Sequence, residues 1–107
     1  MDKRAIIKIA KEYAKLVIQN IKPVEIILYG SYAKGTARED SDIDFVVVSE
    51  SFNNKDIFQR AKMIYPANFC RDYPLDVVLL SINEWKKKKG IITHIIKETG
   101  VEYYPLA

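Results

Sequence analysis

Asp42 and Asp44 stand two apart, on either side of Ile43, at the start of an otherwise apolar run that continues Phe45-Val46-Val47-Val48-Ser49. Side chains alternate along a strand, so carboxylates two apart point to one face. Asp76 is the second residue of the next such run, Leu75-Asp76-Val77-Val78-Leu79-Leu80. Carboxylates seldom enter a hydrophobic strand without compensation. If the two runs are parallel neighbours, their beginnings lie side by side and the three carboxylates converge. Two such charges about 4 Å apart repel by roughly 4 kcal/mol at an effective dielectric near 20. A hard divalent cation with oxygen ligands, above all Mg²⁺, best offsets that repulsion.

A phosphate-holding element stands just upstream. Gly30-Ser31 follows the apolar run Val24–Tyr29 and precedes a short helical turn. Glycine lets backbone approach a ligand closely, and the first N–H groups of a helical turn point outward. Ser31 adds a hydroxyl donor, and Lys34 and Arg38 are cations in the same loop. A loop that can hold phosphates followed by a strand that can hold metal points to metal-bridged triphosphate chemistry. There, two ions about 3.5–4 Å apart clamp the attacking and leaving oxygens. Taken singly, an Asp-x-Asp at a strand start is more often turn chemistry, and a lone Gly-Ser says nearly nothing. The joint order carries the reading. A P-loop is rejected, because Gly35 stands where the lysine before Thr36 would have to be.

The elements that must position these residues are legible from periodicity. Ile6, Ile9, Ala10, Tyr13, Leu16 and Val17 recur at helical spacing over residues 2–21, with lysines on the other side, and Pro23 stops that helix. Strands are expected over 24–29, 43–49 and 75–80. A helical turn over 32–35 is broken by Gly35. A helix over 54–65, ended by Pro66, places Ile57, Phe58, Ala61, Ile64 and Tyr65 on one helical face. Ser81 with Glu84 three residues later reads as a capping box opening a short helix with Trp85 and the Lys86–Lys89 run. Gly90 separates it from a helix over 91–98 with Gly100 at its C′ position, and residues 101–105 form a short edge strand. The expected class is α/β, a small mixed sheet packed by helices.

At 107 residues the chain is expected to be one domain, residues 1–107, with part of any substrate recognition supplied by a partner. It is 49% hydrophobic and 29% charged, which suits a folded core and excludes disorder. A net charge of +3 is too small to argue for nucleic acid. One cysteine, Cys70, excludes an internal disulfide, and no apolar stretch approaches the roughly 20 residues of a membrane helix. A cytoplasmic setting without membrane association is the expectation. His94 has no second histidine to share a zinc ion with and reads as a packed helix residue. Lys86 to Lys89 reads as a solvated face, with an acidic partner or RNA as the functional alternative. The tyrosines 29, 32, 65, 73, 103 and 104 read as packing, with Tyr103 and Tyr104 also suited to a protein interface.

The stretch Gly30-Ser31-Tyr32-Ala33-Lys34-Gly35-Thr36-Ala37-Arg38-Glu39-Asp40-Ser41-Asp42-Ile43-Asp44 resembles the signature of the polymerase-beta-type nucleotidyltransferase superfamily: Gly-Ser, ten residues, Asp-x-Asp. With Leu75-Asp76-Val77-Val78 downstream, the chain is similar to the minimal nucleotidyltransferases of the MntA-like antitoxin group. The resemblance implies the polymerase-beta-like fold. It implies that Asp42 and Asp44 ligate two Mg²⁺ ions, and that Asp76 completes the second site and orients or deprotonates the attacking hydroxyl. Gly30 and Ser31 would hold the β- and γ-phosphates, with Lys34 and Arg38 as lesser candidates for phosphate charge. It implies transfer of AMP from ATP to a tyrosine of a cognate HEPN-domain toxin, by a protein adenylyltransferase acting as an antitoxin. A binding module that neutralises its partner by occupancy is the alternative from another class. Transfer to a small molecule, as in aminoglycoside nucleotidyltransferases, is remoter, since those carry an additional helical domain. The acceptor, the base and the oligomeric state, homo- or hetero-oligomer, stay open.

Overall fold

The computed structural model describes residues 2–38, 40–64, 73–87, 96 and 100–104. The elements are α1 (Lys3–Asn20), β1 (Pro23–Tyr29), α2 (Ser31–Lys34), β2 (Ile43–Ser49), a 3₁₀ turn (Glu50–Phe52), α3 (Ile57–Ile64), β3 (Leu75–Leu80), α4 (Ile82–Lys87) and β4 (Val101–Tyr104). Asp2 opens α1 by accepting the N–H of Ala5 at 2.8 Å, an N-cap that satisfies one of the helix's free donors. Helix α1 buries Ile6, Ile9, Ala10, Tyr13, Ala14 and Val17, the side that the apolar spacing marks.

The sheet runs β3-β2-β1-β4. β1 pairs antiparallel with β2 and with β4, and β2 pairs parallel with β3. This is the expected mixed sheet, with α3 inside the β2–β3 crossover. β2 is buried along nearly its whole length because both its faces are covered. One face carries Ile26, Leu28, Ile43, Phe45 and Val47 against α1, with the Tyr13 and Phe45 rings stacked 4.5 Å apart. The other carries Ile27, Val46, Val48 and Leu80 with Ile96.

Ser49 ends β2 fully buried. Its hydroxyl donates to the Lys22 carbonyl at 2.8 Å and accepts from the Ser51 N–H at 3.0 Å. Ser49→Ala strips two partners and is expected to cost about 1–2 kcal/mol. Thermal denaturation should show a melting temperature lower by about 4–8 °C per kcal/mol in a chain of this size.

The capping box is present as expected. The Ser81 N–H donates to Glu84 Oε1 at 2.9 Å, and the Glu84 N–H donates to Ser81 Oγ at 3.2 Å. Arg60 on α3 joins it, donating from Nη1 to Glu84 Oε1 at 2.6 Å and to the Leu79 carbonyl at 3.0 Å. The Ser81 N–H holds the Glu84 carboxyl down at about 2; burial opposes this, and the Ser81 hydroxyl and Arg60 add to it. A carboxyl lowered on folding contributes stability that is complete above its ordinary value of 4.5 and is lost as pH falls through its folded value. Glu84→Gln should therefore lower the melting temperature at pH 6, and the gap to the parent should close between pH 4.5 and about 2.

Two expectations need correction. The helix placed over 54–65 begins only at Ile57, because Asn54 takes φ 60° and Asp56 caps the start by accepting from the Gln59 N–H at 2.8 Å. Ile57 and Phe58 face solvent, and on α3 only Ile64 is buried. The apolar period marks a side of the helix but supplies nothing to cover it, and Ile57 borders an open cleft against β3. Tyr65, Pro66, Cys70, Lys88, Lys89, Gly90, His94 and the helix at 91–98 apart from Ile96 lie outside the described residues, as do the side chains of Tyr103 and Tyr104. The Gly100 N–H donates to the Ile96 carbonyl at 2.7 Å, but Gly100 does not take the positive φ of a left-handed C′ glycine.

Candidate active site

Three chain segments meet at one end of the sheet for a topological reason. β1 runs antiparallel to β2, so the end of β1 lies where β2 begins. β3 runs parallel to β2, so it begins there too. Tyr29 pairs with Asp44, and Asp44 pairs with Asp76. Directly paired residues share a face. Tyr29, Asp44 and Asp76 therefore form one row across three strands. It continues the face of Val46, Val48, Val78 and Leu80, opposite α1. The Ile43 N–H, donating to the Pro74 carbonyl at 2.8 Å, fixes that register one residue earlier.

The loop before β2 is held by its own polar groups. The Arg38 N–H donates to Ser41 Oγ at 2.8 Å, and the Ser41 N–H donates to the Arg38 carbonyl at 3.0 Å. That closed turn delivers Asp42, exposed, to the entrance of β2. Asp44 is half-buried and Asp76 exposed. Burial pushes the Asp44 carboxyl up, and the charges of Asp76 and then Asp42 push it further. Those two charges are close enough to be felt at Asp44, so the acidic residues form one electrostatic unit. Tyr29 feels it as well: burial, then Asp44, then Asp76 raise its phenol.

Gly30 sits against this row with φ 76° and ψ −153°, a conformation that side chains rarely adopt. A Cβ built there would overlap Asp44 Oδ2 and stand 3.2 Å from Asp44 Cγ. The glycine therefore holds backbone and carboxylate in direct apposition. Ser31 opens α2, the Lys34 N–H donates back to the Gly30 carbonyl at 3.1 Å, and Gly35 ends the turn in the left-handed region.

The structure thus brings Gly30, Ser31, Asp44 and Asp76 to one end of the sheet with Asp42 at its margin. Lys34 lies at the far end of α2 and lines a separate cleft of about 380 Å³ with Asp2, Lys3 and Tyr32. Arg38 is exposed in the loop. Tyr29, read from the sequence as a packing tyrosine, does pack against the Ile27, Val46 and Val48 cluster, and it also borders the acidic row, which the sequence reading did not foresee. Its position immediately before Gly-Ser, and hence opposite the second aspartate of an antiparallel neighbour, was the available signal.

Among the described residues no three His, Cys, Asp or Glu side chains close on one point as a preformed metal cage. Asp42, Asp44 and Asp76 nevertheless offer carboxylates alone, the oxygen chemistry a hard divalent cation takes. The mutual repulsion registered at Asp44 is what such a cation offsets. No helix among the described residues is long and apolar enough to cross a membrane.

The sequence pattern of the nucleotidyltransferase domain matches residues 5–98. No curated protein matches the chain significantly. Among solved structures, a Sulfolobus solfataricus protein described as a nucleotidyltransferase superimposes with a TM-score of 0.65 at 25% identity, over 94% of this chain and 81% of that one. A toxin–antitoxin complex with AMP-PNP gives 0.64 at 23% identity, over 86% and 70%. The toxin–antitoxin pair MntA-HpeT gives 0.59 at 20% identity, over 95% and 71%. The last two likenesses carry the fold alone.

Proposed function

The chain belongs to the nucleotidyltransferase domain family, and from that premise we propose that it transfers AMP from ATP to a hydroxyl of a partner protein, a tyrosine of a HEPN-domain toxin, and so acts as an antitoxin. The observation that carries the reading is the row Asp44–Asp76 set against a glycine whose backbone touches one of its carboxylates. The toxin–antitoxin neighbours, one of them with AMP-PNP, support the choice of donor and partner.

Asp42, Asp44 and Asp76 would hold Mg²⁺. When bound, the ions neutralise triphosphate charge and pyrophosphate as it forms. Gly30 and Ser31 receive the β- and γ-phosphates at the start of α2, with Lys34 and Arg38 adding outer positive charge. The acceptor hydroxyl oxygen bonds to the α-phosphorus while the bond from that phosphorus to the bridging oxygen of the β-phosphate breaks. Pyrophosphate leaves, and the hydroxyl proton passes to the Asp76 carboxylate. Asp76 suits that role because it is exposed at the start of β3, open to an incoming partner. The chain's contribution is positioning and charge placement, as in other phosphoryl transfers.

The test is a labelling reaction with α-³²P-ATP, Mg²⁺ and the protein encoded by the adjacent gene. The neighbour should become labelled, and the double variant Asp42→Ala, Asp44→Ala should leave it unlabelled. Equal labelling by the double variant would remove the assignment. A growth assay tests the antitoxin role: full rescue by that variant would mean neutralisation by occupancy instead of chemistry.

A further inference from the structure

The acidic row occupies one face of the sheet and leaves the outer side of α1, on the other, without a task. Helix α1 carries five cations and one anion, Glu12, and is more positive than the whole chain at +3. The cations are not spread evenly around it. Arg4, Lys8, Lys11 and Lys15 fall within about 60° of one another around the axis and extend over about 16 Å along it. All four are exposed. Their stripe lies opposite Ile6, Ile9, Tyr13 and Val17, which are buried in the core. The one ion pair among the described residues is Arg60 with Glu84, so no carboxylate among them is paired with the stripe. The small net charge of the chain thus hides a local concentration of like charge.

This arrangement works against the helix that bears it. Arg4 and Lys8, Lys8 and Lys11, and Lys11 and Lys15 are like charges three or four residues apart, and each such pair destabilises a helix. Lys3 and Arg4 stand in the first turn, at the positive end of the helix dipole. Apart from the Asp2 cap that turn has no acid, and the last turn has no base. A sequence serving the helix alone would place these charges the other way round. A local rule broken repeatedly on one exposed face, with no gain to the fold, marks a face kept for binding. A ligand that presents several negative charges in a line relieves the repulsion.

The helix itself selects among such ligands. The core of a protein interface is apolar or aromatic and poor in lysine, whereas this stripe is cationic throughout, with the exposed Ile18 only at its C-terminal end. A membrane-bound amphipathic helix sinks its apolar face into lipid, and that face of α1 is buried in the core. A nucleic-acid single strand is held by stacking on aromatic side chains, and Tyr13, the one aromatic residue of α1, is buried. The phosphates of a duplex ask only for cations. We propose that the outer face of α1 binds the phosphate backbone of a nucleic-acid duplex without reading its sequence. The proposal does not rest on the transfer reaction, because α1 packs on one face of the sheet and the acidic row lies on the other.

Fluorescence anisotropy of labelled DNA duplexes of roughly two helical turns, titrated with the full chain without ATP or Mg²⁺, tests it. Four phosphate contacts give a slope of log K against log salt of about −3.6, so affinity should fall about a hundredfold between about 50 and 200 mM NaCl. The triple variant Lys8→Gln, Lys11→Gln, Lys15→Gln should bring that slope to about −1. Glutamine is a good helix former and the change removes like charges, so this variant should melt no lower than the parent. Lys55→Gln, Lys62→Gln, Lys87→Gln removes the same charge from exposed lysines elsewhere and should leave the slope unchanged. Duplexes of unrelated sequence, and a duplex of RNA, should bind within a few-fold of one another. No binding, an equal loss in both triple variants, or tighter binding of a single strand of the same length would each overturn the proposal. So would poly-glutamate that displaces the duplex as well as free duplex does at equal charge, the result expected of an acidic protein partner. A lower melting temperature in the stripe variant would overturn it too, because the cations would then serve the fold.

Discussion

Asp44→Asn is expected to lower nucleotidyl transfer by a factor of the order of 10³, the scale reached when a preorganised charged group is removed from a phosphoryl or acyl transfer site, while making the protein more stable. The two effects have one cause. Asp44 is half-buried beside Asp76 and Asp42, and its carboxyl is held above the ordinary range by burial and then by those neighbours. An acid whose folded value is raised opposes folding once pH exceeds its unfolded value, because the folded state resists the charge that the unfolded state accepts. Asparagine keeps the shape and removes the charge. In metal-free protein the variant should melt higher than the parent at pH 7, and the advantage should disappear as pH falls toward the ordinary value of 3.8. Such opposition between activity and stability is expected where like charges are held together for function. A variant that lost activity and stability together would place Asp44 in the structural framework. Calorimetry across pH beside the α-³²P transfer assay distinguishes the two.

The positions that sequence alone placed correctly share a property: their chemistry is local. Ser81 and Glu84 form their capping box because both partners lie within one turn. The strand at 43–49 is written in consecutive β-branched residues. Asp44 and Asp76 were legible as partners because a helix between two apolar runs implies a parallel crossover, and the register then sets them opposite each other. What escaped depends on partners distant in the chain. Tyr29 joins the acidic row only through an antiparallel register that no residue in its own strand specifies. Arg60 on α3 finds Glu84 and the Leu79 carbonyl across the crossover. Ile57 and Phe58 obey helical spacing, yet burial needs a covering surface, and both side chains stay exposed. Periodicity tells which side of a helix is apolar; only the fold tells how far along the helix that side is covered.

Gly30→Ala is the second large effect, and Gly35→Ala is its internal control. Both glycines have positive φ, 76° and 78°. At Gly35 the left-handed conformation is one an alanine can enter at a cost of about 1–2 kcal/mol, and an added Cβ meets nothing within 4 Å. At Gly30 ψ is −153°, where only glycine is at ease and a side chain costs of the order of 1–3 kcal/mol. There the added methyl also overlaps Asp44 Oδ2. Something must give, and the carboxylate at the end of a short side chain yields more readily than the paired backbone of β1 and β2. The clash therefore becomes a rotated Asp44 in place of an unfolded sheet. Both variants should melt lower than the parent, by about 4–8 °C per kcal/mol. Gly30→Ala alone should lose transfer, by about 10² or more, since displacing a reacting group by about 1 Å has that consequence. Gly35→Ala should keep transfer near the parent level. If the two lost activity equally, the apposition of Gly30 and Asp44 would have no part in the reaction, and the glycine before Ser31 would be only a turn residue.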